Sequence, residues 1–198
     1  MHFIAHRVNE LAMLKELPMQ YGCEIDLRDR GERLILQHDP FKDGEDAEPF
    51  FAAYKHGTLI LNVKSERIEE RVTALLRKYD ISDYFFLDSS LPMIVLLSKG
   101  GERNIALRYS EYETIGTVLN FSGKVDWVWV DCFTRLSLDR SDYDRLRQAG
   151  FKLCLVSPEL QGRPEDIAAY KKQLSDDGIE FDAICTKHYN IHLWKDHG

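Results

Sequence analysis

Residues 4–7 read I-A-H-R, residues 22–29 G-C-E-I-D-L-R-D and residues 34–40 L-I-L-Q-H-D-P. Each is a short apolar run of β type carrying ionisable groups. His6 and Arg7 close the first, Glu24 and Asp26 lie within the second, and His38 and Asp39 close the third. Side chains two apart on a strand share a face, so Glu24 and Asp26 point one way while Cys23, Ile25 and Leu27 point the other. Two carboxylates on one buried face repel each other unless a cation, a proton or an arginine compensates them. Two histidines and an arginine nearby predict acid/base chemistry on an anionic substrate.

Beyond this opening, further apolar runs recur: T-L-I-L-N-V-K (58–64), Y-F-F-L-D-S-S (84–90), N-I-A-L-R-Y-S (104–110), W-V-W-V-D-C-F (127–133), K-L-C-L-V-S-P (152–158) and A-I-C-T-K (183–187). They are short and rich in β-branched or aromatic residues, as buried parallel strands are. Helical segments are predicted between them. Over 66–79, Ile68, Val72, Leu75, Leu76 and Tyr79 fall at helical spacing. Residues 141–149 begin with Ser141 as N-cap and stop at Gly150, and 164–177 begin with a proline and stop at Gly178. Weaker helical patterns cover 11–17, 49–54, 91–98 and 111–119.

Strand-helix alternation sustained over the chain predicts an α/β fold with a parallel sheet. With 33–37 taken as an extra strand or a return loop, eight units remain, which is a compact TIM-type (β/α)8 barrel and a single domain over 1–198. Barrels of this kind typically need roughly 250 residues, so the loops here must be short. Their sites lie at the C-terminal strand ends. Charged and hydroxyl residues cluster there: His6, Arg7, Asp26, Asn62, Lys64, Asp88, Ser90, Arg108, Asp131, Ser157, Glu159 and Lys187. Alternation turns Ile60, Asn62 and Lys64 into the barrel, and puts Trp127, Trp129 and Asp131 on one strand face.

Composition bounds the function. With 44% hydrophobic and 30% charged residues, the chain has the make-up of an ordinary globular protein. A net charge of −7 argues against a nucleic-acid or anionic-membrane surface. No signal-peptide pattern opens the sequence and no apolar run approaches the roughly 20 residues of a membrane span. Cys23, Cys132, Cys154 and Cys185 each fall inside a strand-like run without a C-x-x-C pair, which predicts reduced core thiols and a cytoplasmic location. A zinc reading of His188, His192 and His197 is set aside, because K-H-Y-N-I-H-L-W gives no helical support.

His-Arg after a first strand, Glu-x-Asp on the second, then His-Asp-Pro resembles the opening signature of glycerophosphodiester phosphodiesterases, within the wider group of phospholipase-C-like phosphodiesterases. The likeness is close over the first fifth of the chain and one of strand-helix pattern after it. It implies a phosphodiester hydrolase acting on a phosphodiester of a small alcohol or sugar, with no nucleic-acid or membrane partner. By themselves Glu24 and Asp26 read equally as ligands of a hard cation or as a buried network with Arg7, Arg28 or Lys64. The resemblance favours the cation, Mg²⁺ or Ca²⁺, and implies a third ligand at Asn62, where the family carries glutamate. Asparagine offers a carbonyl oxygen but no charge, so affinity should fall; Asp88, Asp131 or Glu159 are the alternative donors. His6 and His38 take the acid/base positions. Arg7, Lys64 and Arg108 would hold the phosphate oxygens, although a rim salt bridge from Arg108 to Asp88 or Asp131 is an equal reading.

Two other readings stand beside this one. Set against the family pattern that the resemblance implies, asparagine at 62 in place of glutamate fits a catalytically weakened barrel that binds a phosphorylated ligand or a partner. A haloacid-dehalogenase-type phosphatase could start at D-S-S-L-P (88–92) or D-C-F-T (131–134), but neither has the second aspartate two residues on. The turn F-K-D-G-E-D-A-E-P after His38 is short and acidic, so the pocket should be more open than where a long insertion follows. Trp129 and Phe133 read first as core and second as pocket lining.

Overall fold

The computed structural model describes residues 1–195. Eight parallel strands run through the core: β1 (His2–Ala5), β2 (Gly22–Arg30), β5 (Leu59–Val63), β6 (Tyr84–Leu87), β7 (Ala106–Tyr109), β8 (Trp127–Val130), β9 (Lys152–Val156) and β10 (Ala183–Thr186). Each leads into a helix: α1 (Leu11–Glu16), α2 (Ala47–Ala53), α3 (Glu69–Lys78), α4 (Leu91–Lys99), α5 (Ile115–Leu119), α6 (Arg140–Gln148), α7 (Ile167–Asp176) and α8 (Ile191–Lys195). This is the expected (β/α)8 order. Residues 33–37 prove to hold a strand rather than a loop: β3 (Arg33–Leu36) returns antiparallel along β2, with the two-residue β4 (Glu45–Asp46) beside it.

Ladders join β6–β5–β2–β1–β10–β9–β8–β7. Between β6 and β7 the ring is drawn together by a single parallel bridge, Phe86 to Ile105, with the Phe86 N–H donating to Asn104 O at 2.8 Å. The lumen is filled: Phe85 stacks on Trp127 with ring centroids 4.6 Å apart. Gly22 is fixed by a close approach, since a Cβ there would lie 2.1 Å from Thr58 O.

Several boundaries differ from the sequence reading. Helix α6 is capped by Asp139, whose carboxylate accepts the Asp142 N–H, and Ser141 lies inside the helix. The stretch 188–195 does form helix: a 3₁₀ turn, His188–Asn190, runs into α8 because Ile191 and Trp194 share a buried side. Glutamate at 66 and its neighbours stay outside α3, where Arg67 takes φ 65°. Residues 111–114 likewise form a turn before α5. His197 lies outside the described residues. All four cysteines are buried and free, and none of the described helices is long and apolar enough to cross a membrane.

Candidate active site

The register of the strands assembles the site at the C-terminal rim. Glu24 lies beside Ile60 and Asp26 beside Asn62 in the β2–β5 ladder, so Glu24, Asp26 and Asn62 come together. Both carboxylates are fully buried. Glu24 Oε1 accepts from Asn62 Nδ2 at 2.8 Å, and Oε2 accepts from the Arg7 N–H at 2.8 Å. The second bond depends on Arg7 adopting φ 58°, a left-handed conformation that costs a non-glycine residue roughly 1–2 kcal/mol. Asp26 is held by Asn9, which donates to Oδ2 and accepts the Asp26 N–H, each at 2.8 Å. Asp26 Oδ1 has no hydrogen-bond partner, and neither has Asn62 Oδ1. Burial first, and then the charge of Asp26, raise the Glu24 carboxyl, against the lowering effect of Asn62, the Arg7 N–H and Lys64.

Cations close over the pair. Lys64 Nζ stands 3.7 Å from Asp26 Oδ1 and 3.2 Å from Asp88 Oδ2, and Arg7 Nε stands 3.9 Å from Asp26 Oδ2. Arg7 Nη2 also donates to His38 Nε2 at 2.8 Å. Because guanidinium only donates, His38 carries its proton on Nδ1 and gives it to Asp39 Oδ1 at 2.9 Å. Asp39 also meets Lys42, and the His38 and Lys42 bonds lower its carboxyl to about 2.

His6 is arranged in the opposite sense. Lys187 Nζ lies 3.1 Å from His6 Nδ1, and an ammonium only donates, so the ring proton is on Nε2, 3.8 Å from Glu24 Oε2. Desolvation, reinforced by Lys187, Arg7, Lys64 and His38, lowers the imidazole to about 3 and keeps it neutral at physiological pH.

The structure thus brings together His6, Arg7, Glu24, Asp26, His38, Asn62 and Lys64. Arg108 stands apart from this cluster. Its guanidinium is shared by Asp88 and Asp131, with Glu113 at 3.8 Å and the Phe133 ring 5.8 Å away, so the rim salt bridge is what forms. Asp88 and Asp131 are therefore engaged, and Glu159 is taken by Ser157, Thr186 and the Lys187 N–H. All three are thus paired with protein groups, and no cluster of three His, Cys, Asp or Glu residues that could hold a metal is found among the described residues. The two unpartnered oxygens, on Asp26 and Asn62, are still what a hard cation seeks. The donor set fits such an ion with one anionic and one neutral free oxygen. Trp129 is core, while Phe133 stays partly exposed above Arg108.

Two residues gain roles that the sequence did not indicate. Arg28 pairs with neither Glu24 nor Asp26; its guanidinium binds the carbonyls of His38, at 2.9 and 3.2 Å, and Lys64, at 2.9 Å, and so fixes two site segments at once. Lys187 appeared only as one rim charge among many.

The chain matches no family model and no curated protein. Among solved structures it is similar to a glycerophosphodiester phosphodiesterase from Agrobacterium tumefaciens str. C58, with a TM-score of 0.67. The two are 14% identical, and the likeness covers 94% of this chain and 97% of that one. The fold implied by the opening motif is thus the fold observed.

Proposed function

We propose that this protein is a phosphodiester hydrolase resembling glycerophosphodiester phosphodiesterases, acting on a phosphodiester of a small alcohol or sugar. The observation that carries the reading is the position of Arg7, whose one guanidinium joins His38 Nε2 to the buried Asp26 carboxylate. An incoming phosphate attracts Arg7 and Lys64 to its non-bridging oxygens, where Arg7 can bind bidentately. Withdrawal of Arg7 frees His38 Nε2 to take a proton from the attacking oxygen, either of water or of a neighbouring substrate hydroxyl. Asp39 then stabilises the imidazolium through Nδ1. His6 presents Nε2–H to the departing alkoxide. Glu24, Asp26 and Asn62 would hold a divalent cation, Mg²⁺ or Ca²⁺, which when bound adds positive charge beside the phosphate.

The test is turnover of a phosphodiester panel by the wild type, His6→Ala and His38→Ala, with titration of Mg²⁺, Ca²⁺ and Mn²⁺ into wild type and Glu24→Gln. Loss of turnover at unchanged unfolding temperature in both histidine variants supports the assignment; full activity in either removes it. One observation favours a second reading, a weakened barrel that binds a phosphorylated ligand: both Glu24 oxygens already accept hydrogen bonds. Saturable binding of a phosphomonoester without turnover of any diester would select it.

A further inference from the structure

Lys187 is unusual among the cations of the rim. Arg7, Lys64 and Arg108 each lie within 4 Å of a carboxylate, and Arg7 meets His38 besides, whereas the Lys187 ammonium lies against an imidazole nitrogen and makes no ion pair among the described residues. Its backbone is held firmly: the Lys187 N–H donates to Glu159 Oε1 at 3.0 Å, and its carbonyl accepts from the Asn190 N–H at 2.8 Å. Glu159 is in turn bound by the Ser157 and Thr186 hydroxyls, and Ser157 Oγ accepts from Trp194 Nε1 at 2.8 Å. Helix α8 therefore buttresses the lysine, and the lysine faces His6. Lys187 is only partly buried, so water reaches it.

Because Lys187 Nζ donates to Nδ1 at 3.1 Å, the ring holds its one proton on Nε2, and an imidazole in that form is a poor acid on its own, since giving up Nε2–H would leave an anion. A proton donor at Nδ1 removes that difficulty. We infer that Lys187 is the proton source behind His6, so that leaving-group protonation runs from Lys187 through the ring to the alkoxide; this rests on the phosphodiesterase reading above. In the step, the His6 Nε2–H bond breaks as the O–H bond of the product alcohol forms. At the same time a Lys187 Nζ–H bond breaks and an Nδ1–H bond forms. The ring ends neutral in its other tautomer, and Lys187 ends as an amine that takes up a proton from water. Lys187 acts only through His6, and His38 remains the base on the other side.

The experiment compares two diesters that share one phosphoryl part, one with p-nitrophenol and one with an unactivated alkyl alcohol as leaving group. Aryl oxide leaves without a proton; alkoxide does not. Lys187→Met should lower the alkyl-to-aryl ratio of kcat values by about 100-fold or more. Lys187→Arg should lower it comparably, since guanidinium keeps the charge and the hydrogen bond but does not release a proton. Nitrogen chemical shifts of His6 should report Nε2–H in the wild type and in the arginine variant. Equal loss on both substrates, or a normal ratio in Lys187→Arg, overturns the relay while leaving the phosphodiesterase reading intact. Turnover of neither substrate by the wild type overturns both.

Discussion

Asp26 and Asn62 carry the two unpartnered oxygens of the site, side by side on neighbouring strands. Asn62→Asp would add a charge there. It should tighten divalent-cation binding about 10-fold or more, roughly 1.4 kcal/mol or above, and lower the unfolding temperature of the metal-free protein, as titration and calorimetry would read. Unchanged affinity would place any cation elsewhere. Glu111 makes a second prediction. Its carboxylate gathers the N–H groups of Phe133, Thr134 and Arg135 together with the Thr134 hydroxyl. Burial pushes this group up, but hydrogen bonds from its own backbone and from the loop outweigh that and bring it to about 2, against an ordinary 4.5. A depressed carboxylate stabilises fully above its unfolded value and ceases to as pH falls through the folded one. The wild-type advantage over Glu111→Gln in resisting unfolding should therefore be present at pH 5 and fade between about 4.5 and 2. At this scale the sequence was legible where residues sit on or just after strands in motif order, as His6, Arg7, Glu24, Asp26 and His38 do. Arg28 and Lys187 were not, because their partners lie 36 and 181 positions away and register cannot be read from one strand.

Element boundaries follow cap geometry more closely than apolar spacing. D-R-S-D at 139–142 offers three residues of capping type, and only Asp139, at φ −94° and ψ 172°, stands outside the helix with its carboxylate on the Asp142 N–H. Asp139→Ala should cost about 1 kcal/mol in denaturant unfolding, and Ser141→Ala much less. Helix α8 escaped the sequence reading for another reason. Five residues show too little periodicity to register, and its hold on the barrel comes from the buried Ile191 and Trp194, the indole N–H to Ser157 and the Lys171 bond to the Leu193 carbonyl. The antiparallel β3 was half legible. Its apolar run announced a strand, but only the observed hairpin tells that the chain doubles back to bring His38 against Arg7.

For the whole molecule, the eightfold alternation gave the barrel away, since parallel strands buried on both faces leave short continuous apolar runs separated by helices. What it could not convey was the filling of the lumen. Phe85 and Trp127 stack across it, on strands that lie on opposite sides of the weakest seam. Trp127→Ala should cost about 3–5 kcal/mol, read as a lower denaturant midpoint. A loss below 1 kcal/mol would mean that the lumen collapses around the gap. The β1–β10 ladder has a consequence of another kind. The first and last of the described strands are hydrogen-bonded neighbours, and His6 meets Lys187 across 181 positions. At about 5–20 residues per second on the ribosome, roughly 10–40 s separate the synthesis of one from that of the other. Throughout that interval β1 has one bare edge, open to any passing strand. That edge is filled only once β10 has been made, and only then can Lys187 reach His6.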